Sequence, residues 1–317
     1  MTGATPDVVD LVLEGGGVRG IALAGAIEVL EEHGMRPARV AGASAGAIVG
    51  SLVAAGMPAK RLHETMMSLD YGRFLDESEI GRIPVIGHGL ALLRERGLYV
   101  GDYFRGLVGE HLADLGVRTF ADLRQEDPAS DLPEDSRYKL LVMVSDVSRG
   151  RLLRLPWDYG PGLGLDPDEQ SVASAVQASM SIPFFFRPVT VAVAGDDPSV
   201  LVDGGLLSNF PVDAFDRSDG RAPRWPTIGI KLVAARERNE VRHRVDGDLS
   251  LALAILHTMQ SWHDELRLAD PLVQRRTIFV DTFGVKATDF HIDRATQQRL
   301  YENGRDAAER FLVREGW

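Results

Sequence analysis

The sequence predicts an α/β fold built on a parallel sheet. Apolar runs of strand length alternate with segments of helical period, and glycine clusters mark several of the joints. No internal repeat, low-complexity tract or linker-like shift in composition divides the chain. Its 317 residues are 44% hydrophobic and 26% charged, the balance of a globular protein. A chain this long buries roughly 75% of its unfolded surface and needs no staples. Dividing by about 150 residues per domain would suggest two domains, but α/β folds often reach this size as one, and a single domain over residues 1–317 is expected.

Val8 to Leu13 is a short, mostly apolar run that ends in a glycine cluster, the pattern of a buried strand. From Ile21 the period changes. Leu23, Ala26, Ile27 and Leu30 share one helical face, and Gly34 follows as a stop signal. Arg39 to Ala43 reads as a second strand, and Ala45 to Ala55 as a second helix ending at Gly56 and Pro58. Strand, helix, strand, helix in about fifty residues requires crossovers between parallel strands. Tyr71 to Val100 mixes apolar residues with glycines and charges, and reads either as a packed excursion or as an apolar cover over a site. Asp102 to Leu112 is expected to be helical and Tyr138 to Ser145 a strand, while Asp127 to Asp135 and Trp157 to Asp168 have loop composition. Val189 to Ala194 and Val200 to Val202 flank a turn, Gly195 to Pro198, and suggest a hairpin. Thr227 to Val233 and Thr277 to Val280 read as strands, Leu249 to Leu268 and Asp293 to Val313 as helices.

The composition excludes several classes of function. With 35 basic and 46 acidic side chains the net charge is −11, which leaves no basic surplus for a nucleic-acid partner. It also argues against purely electrostatic attachment to anionic lipid. The absence of cysteine rules out disulfides, thiolate catalysis and cysteine zinc sites. Met1 to Asp10 lacks the features of a signal peptide. Val40 to Ala59 is uncharged and carries glycines at 42, 46 and 50, as packed membrane helices do. Only six of its residues are large and apolar, however, so insertion would be weakly driven. A cytoplasmic protein with at most a transient membrane-surface contact is expected.

Gly15-Gly16-Gly17-Val18-Arg19-Gly20 has the spacing G-x-G-x-x-G between a strand and a helix. A dinucleotide site would need an acidic residue about twenty positions on to hold the ribose. Met35 to Lys60 contains none. The same geometry can serve as an oxyanion hole, with backbone N–H groups facing a developing negative charge, or as a tight turn that merely needs glycine. Gly42-Ala43-Ser44-Ala45-Gly46 is a G-x-S-x-G pattern, also between a strand and a helix, which is the setting of a nucleophile elbow. Small neighbours let the elements pack closely around such a turn, which accounts for the membrane-like stretch.

A serine hydroxyl needs a base. Eight histidines are present, at 33, 63, 88, 111, 243, 257, 263 and 291. In the hydrolase order of serine, acid, histidine, the last four are the candidates. His243 lies among charges, His257 and His263 point in different directions on one helix, and His291 sits between aspartates at a helix start. Asp203 has a better setting. Leu201-Val202-Asp203-Gly204-Gly205 places a carboxylate at the end of an apolar strand, although an Asp-Gly pair alone reads as a turn. In a dry cleft, touching a serine hydroxyl, a carboxylate can suffice as the base.

Together the three segments resemble the patatin-like phospholipase family. Its G-G-G-x-R-G segment, G-x-S-x-G elbow and D-G-G/A motif stand here at residues 15–20, 42–46 and 203–205, in that order. Ala178-Ser179 through Pro188-Val189 and Asn209-Phe210-Pro211 fit as well. The core motifs span residues 8–215, and residues 225–317 are expected to complete the same domain. The resemblance implies a three-layer α/β/α sandwich with a mainly parallel central sheet. It also implies a Ser44–Asp203 dyad without histidine, an oxyanion hole from Gly15, Gly16 and Gly17 helped by Arg19, and Gly20, Gly42, Gly46, Gly204 and Gly205 as motif glycines. The implied substrate is a lipid or other acyl ester, with no metal or cofactor in the chemistry. Two other classes share the fold: an acyltransferase or thioesterase, whose mark would be a histidine touching Ser44, and a non-catalytic lipid- or protein-binding module.

Overall fold

The computed structural model describes residues 6–70, 97–99, 101–127, 130, 132–217, 219, 221, 223–233, 251, 254, 255, 258 and 268–317. Nearly all of the candidate cover 71–100, and most of the helix expected over Leu249 to Leu268, lie outside the described residues. The strands are β1 (Val8–Leu13), β2 (Arg36–Gly42), β3 (Gly97–Tyr99), β4 (Leu140–Asp146), β5 (Arg151–Leu155), β6 (Phe184–Phe186), β7 (Val189–Val191), β8 (Ser199–Asp203), β9 (Thr227–Val233) and β10 (Thr277–Asp281). The helices are α1 (Ile21–Glu32), α2 (Ala45–Ala54), α3 (Ala59–Ser68), α4 (Asp102–Asp114), α5 (Val172–Met180), α6 (Gly205–Ser208), α7 (Pro271–Arg275) and α8 (Arg294–Glu315).

The central sheet runs in the order β10-β9-β1-β2-β4-β8-β7, with β5 also paired to β4. From β10 to β4 the strands are parallel. Beyond them, β5 and β8 run antiparallel to β4, and β7 antiparallel to β8 as the expected hairpin. The sheet is therefore parallel through its centre and mixed at one side. A small second sheet joins β3 to β6.

Side-chain alternation sets the layers. Val9, Leu11 and Leu13 of β1, with Leu140, Val142 and Val144 of β4, turn to one face and join the core with residues of α1, α2, α5 and α8. Val12, Ala41, Leu141 and Met143 turn to the other face, against Phe210, Val212, Phe215 and Val273. Strands buried on both faces carry no regular polar alternation, so β1 and β4 are mostly apolar, broken only by the buried Asp10 and closed by Ser145-Asp146. Each large side chain buried in this way contributes roughly 1.5–3 kcal/mol.

Several elements fall where no element was read, α3, β5 and α5 among them. α3 follows Pro58, β5 alternates arginine with leucine beside β4, and α5 begins where the Ser171 hydroxyl accepts the N–H of Ser174. Among the described residues no helix is long and apolar enough to cross a membrane. Val40 to Ala59 instead supplies the end of β2, a turn, α2 and the start of α3.

Candidate active site

Strands β1 and β2 end side by side, with Leu13 paired to Gly42. Beyond these ends the chain turns into Gly15–Gly17 on one strand and Ser44 on the other. Ser44 stands at φ 51°, ψ −122°, backbone angles that cost a non-glycine residue about 1–3 kcal/mol. It caps the ten-residue α2, so its hydroxyl lies at the positive end of a helix dipole. The turn is tight. A Cβ on Gly42 would come 2.4 Å from the carbonyl oxygen of Gly46, and one on Gly46 would come 2.3 Å from that of Leu13. The Ser44 N–H donates to Ser179 Oγ at 2.9 Å, and that hydroxyl donates to the Met143 carbonyl at 2.7 Å. Ser179 comes from the last turn of α5, so this helix end holds the strained residue in place.

Asp203 ends β8, opposite Val144 of β4. Its carboxylate accepts the Gly205 N–H at 2.7 Å and faces the Ser44 side chain. Gly204 backs onto the Met143 carbonyl, and the Asp203 N–H donates to the Ser181 carbonyl at 2.9 Å. The residue is 4% exposed. Burial pushes its carboxyl up to about 7, against the opposing pull of the Gly205 N–H and the Ser44 side chain. A carboxylate in that range is matched to proton transfer near neutral pH.

Among the described residues no histidine hydrogen-bonds Ser44 or Asp203. His33 meets the Val29 carbonyl, His63 stacks on Tyr301, His111 lies in the last turn of α4, and His291 is exposed. His88, His243, His257 and His263 lie outside the described residues.

The glycine loop is held from three sides. The Gly15 N–H donates to the Asn209 carbonyl at 3.1 Å. The Gly16 carbonyl accepts the N–H of Arg19 at 3.1 Å and its Nε at 3.2 Å. The Val18 N–H donates to the Ala287 carbonyl at 3.1 Å. That same oxygen would lie 1.9 Å from a Cβ on Gly17, whose φ is +54°. Gly20 then caps α1. Among the described residues the N–H groups of Gly16 and Gly17 have no hydrogen-bond partner. The structure thus divides the residues grouped in the sequence. Gly15 and Arg19 brace the loop, while Gly16 and Gly17 keep donors available. Sequence reasoning passed over Glu14, which is buried and paired with Lys231 Nζ at 2.5 Å. A charge closing an apolar strand was the available signal.

The model of the patatin-like phospholipase family matches residues 11–216. The chain belongs to this family. It is accordingly a lipid acyl hydrolase. This patatin-like chain is 37% identical over 305 residues to the uncharacterized protein YqhO of Bacillus subtilis strain 168, a match covering 96% of this chain and 98% of that one. It is 28% identical over 205 residues to the lysophospholipase NTE1 of Eremothecium gossypii, covering 64% of this chain but 11% of that one. Among solved structures, VipD from Legionella pneumophila superposes with a TM-score of 0.56 at 21% identity, covering 98% of this chain and 67% of VipD. That likeness speaks for the α/β fold alone.

Proposed function

We propose that this patatin-like chain cleaves carboxylic esters of lipids, phospholipid or lysophospholipid among them, through a Ser44–Asp203 dyad and an acyl-enzyme intermediate. The observation that carries the reading is the buried Asp203 carboxylate set against the Ser44 side chain at the end of β8, with its carboxyl pushed up toward neutral pH. Ser44 Oγ attacks the ester carbonyl carbon as its proton passes to Asp203. The N–H groups of Gly16 and Gly17, with the N-terminus of α2, stabilise the oxyanion. Collapse breaks the C–O bond, and the proton on Asp203 goes to the leaving oxygen. Asp203 then takes a proton from water, the resulting hydroxide attacks the acyl-Ser44 carbonyl, and collapse releases the carboxylic acid as Ser44 regains its proton. A lysophospholipase among the relatives supports a lipid ester as substrate.

The test is release of free fatty acid from lysophospholipid and from a short-chain chromogenic ester. Ser44→Ala should lower both by at least about 1000-fold with the fold retained. Activity within a few-fold of wild type would overturn the assignment. Acyl transfer to an added alcohol in place of fatty-acid release would favour the acyltransferase reading.

A further inference from the structure

We propose that Asn209, held in place by Glu14 and Lys231, is a positioning residue for the oxyanion hole. This rests on the reading of Gly16 and Gly17 as its donors. Asn209 grips Gly15 at both ends: its backbone carbonyl accepts the Gly15 N–H at 3.1 Å, and its Nδ2 donates to the Gly15 carbonyl at 3.3 Å. In a planar trans peptide the C=O and the following N–H point in opposite directions. Fixing the Gly15 carbonyl therefore aims the Gly16 N–H away from Asn209. The next peptide is treated the same way, since Arg19 holds the Gly16 carbonyl and so aims the Gly17 N–H. Both donors are set from the carbonyl end of their own peptide planes.

The Asn209 amide is itself oriented by charge. Its Nδ2 also donates to Glu14 Oε1 at 3.2 Å, an oxygen shared with Lys231 Nζ at 2.5 Å. Glu14 Oε2 accepts the N–H of Leu232 at 2.5 Å. Three donors thus converge on one carboxylate that is 3% exposed, and Lys231 is 5% exposed. Two acceptor oxygens are required there. A glutamine would turn an NH₂ group toward one of those donors whichever way its amide lay. The buried pair also keeps Asn209 from rotating, because only its NH₂ side satisfies both Glu14 and the Gly15 carbonyl. Such supporting contacts act on the transition state through the groups they orient.

The experiment uses the full chain with Glu14→Gln, Asn209→Ala and Asn209→Ser, which keeps one donor on a shorter arm. For Asn209→Ala and Glu14→Gln, kcat should fall roughly 10- to 100-fold while KM stays within about threefold. Affinity for an aliphatic trifluoromethyl ketone, which forms an oxyanion on the nucleophile, should fall by a similar factor. Asn209→Ser should recover part of both losses. Unchanged kcat in folded Glu14→Gln and Asn209→Ala, with Ser44→Ala inactive, would overturn the proposal and leave the dyad standing. Ser44→Ala retaining activity would instead remove the reading beneath it. Failure of all three variants to fold would overturn it too, by assigning the network to the fold rather than to the loop.

Discussion

Asp203→Asn should make the protein inactive and, above neutral pH, more stable. The carboxyl is buried and its proton is held up to about 7, whereas an unfolded aspartate releases it near 3.8. Between these values the folded state binds more protons than the unfolded state, so raising the pH erodes stability. The contribution is fully present below the unfolded value, and its loss is complete once the pH passes the folded one. The difference amounts to about 4 kcal/mol at 1.36 kcal/mol per unit. Asparagine keeps the shape, can accept the Gly205 N–H, and does not titrate. Its advantage over wild type should be near zero around pH 4, grow through pH 5 and 6, and level off above 7 at a ceiling of about 4 kcal/mol. At roughly 2 °C per kcal/mol, that ceiling is about 8 °C in Tm. Equilibrium denaturation of both proteins at each pH from 4 to 9 measures it, with ester hydrolysis alongside. Parallel pH dependence of the two proteins would refute the argument, because it would mean that Asp203 does not hold its proton.

Three further outcomes follow from the same geometry. With a base near 7, kcat/KM should fall about tenfold per pH unit below roughly pH 6 and level off above 8, and a flat profile from 5 to 8 would contradict that role. Gly46→Ala forces a methyl group against the Leu13 carbonyl, so denaturation should show a loss of about 3 kcal/mol or more, together with loss of turnover. Ser179→Ala strips the Ser44 N–H of its acceptor, which should cost about 1–3 kcal/mol in denaturant melts and lower kcat more than KM in steady-state kinetics.

Much of this was legible because the chemistry is local. Strands β1 and β9 stand at the residues read for them, since runs buried on both faces leave a plain apolar signature. The elbow was legible because a strained serine between a strand and a helix demands small neighbours on either side. α5 was not, because its alternation of small residues with serine, Val172 to Met180, gives only a weak helical stripe. β5 was hidden by its arginines, whose charges pair with Asp146 and Asp158 across and beside the strand. The grip of Asn209 on Gly15 joins residues 194 positions apart, and no local pattern reports such a contact. The same holds for Ser179 and Ser44.

The Ala287 carbonyl that pins the glycine loop lies 71 positions beyond residue 216, where the family match ends. A recombinant fragment cut at that boundary would keep Ser44, Asp203 and every motif glycine. It would lose β9, whose Ile228 and Ile230 sit beside Leu11 and Leu13, and with it the far edge of β1. It would also lose Lys231, leaving Glu14 as a charge without its counterion. The motifs that identify the enzyme thus mark a smaller territory than the contacts that hold them. For anyone trimming, grafting or recombining this scaffold, the unit to be moved runs at least through residue 287.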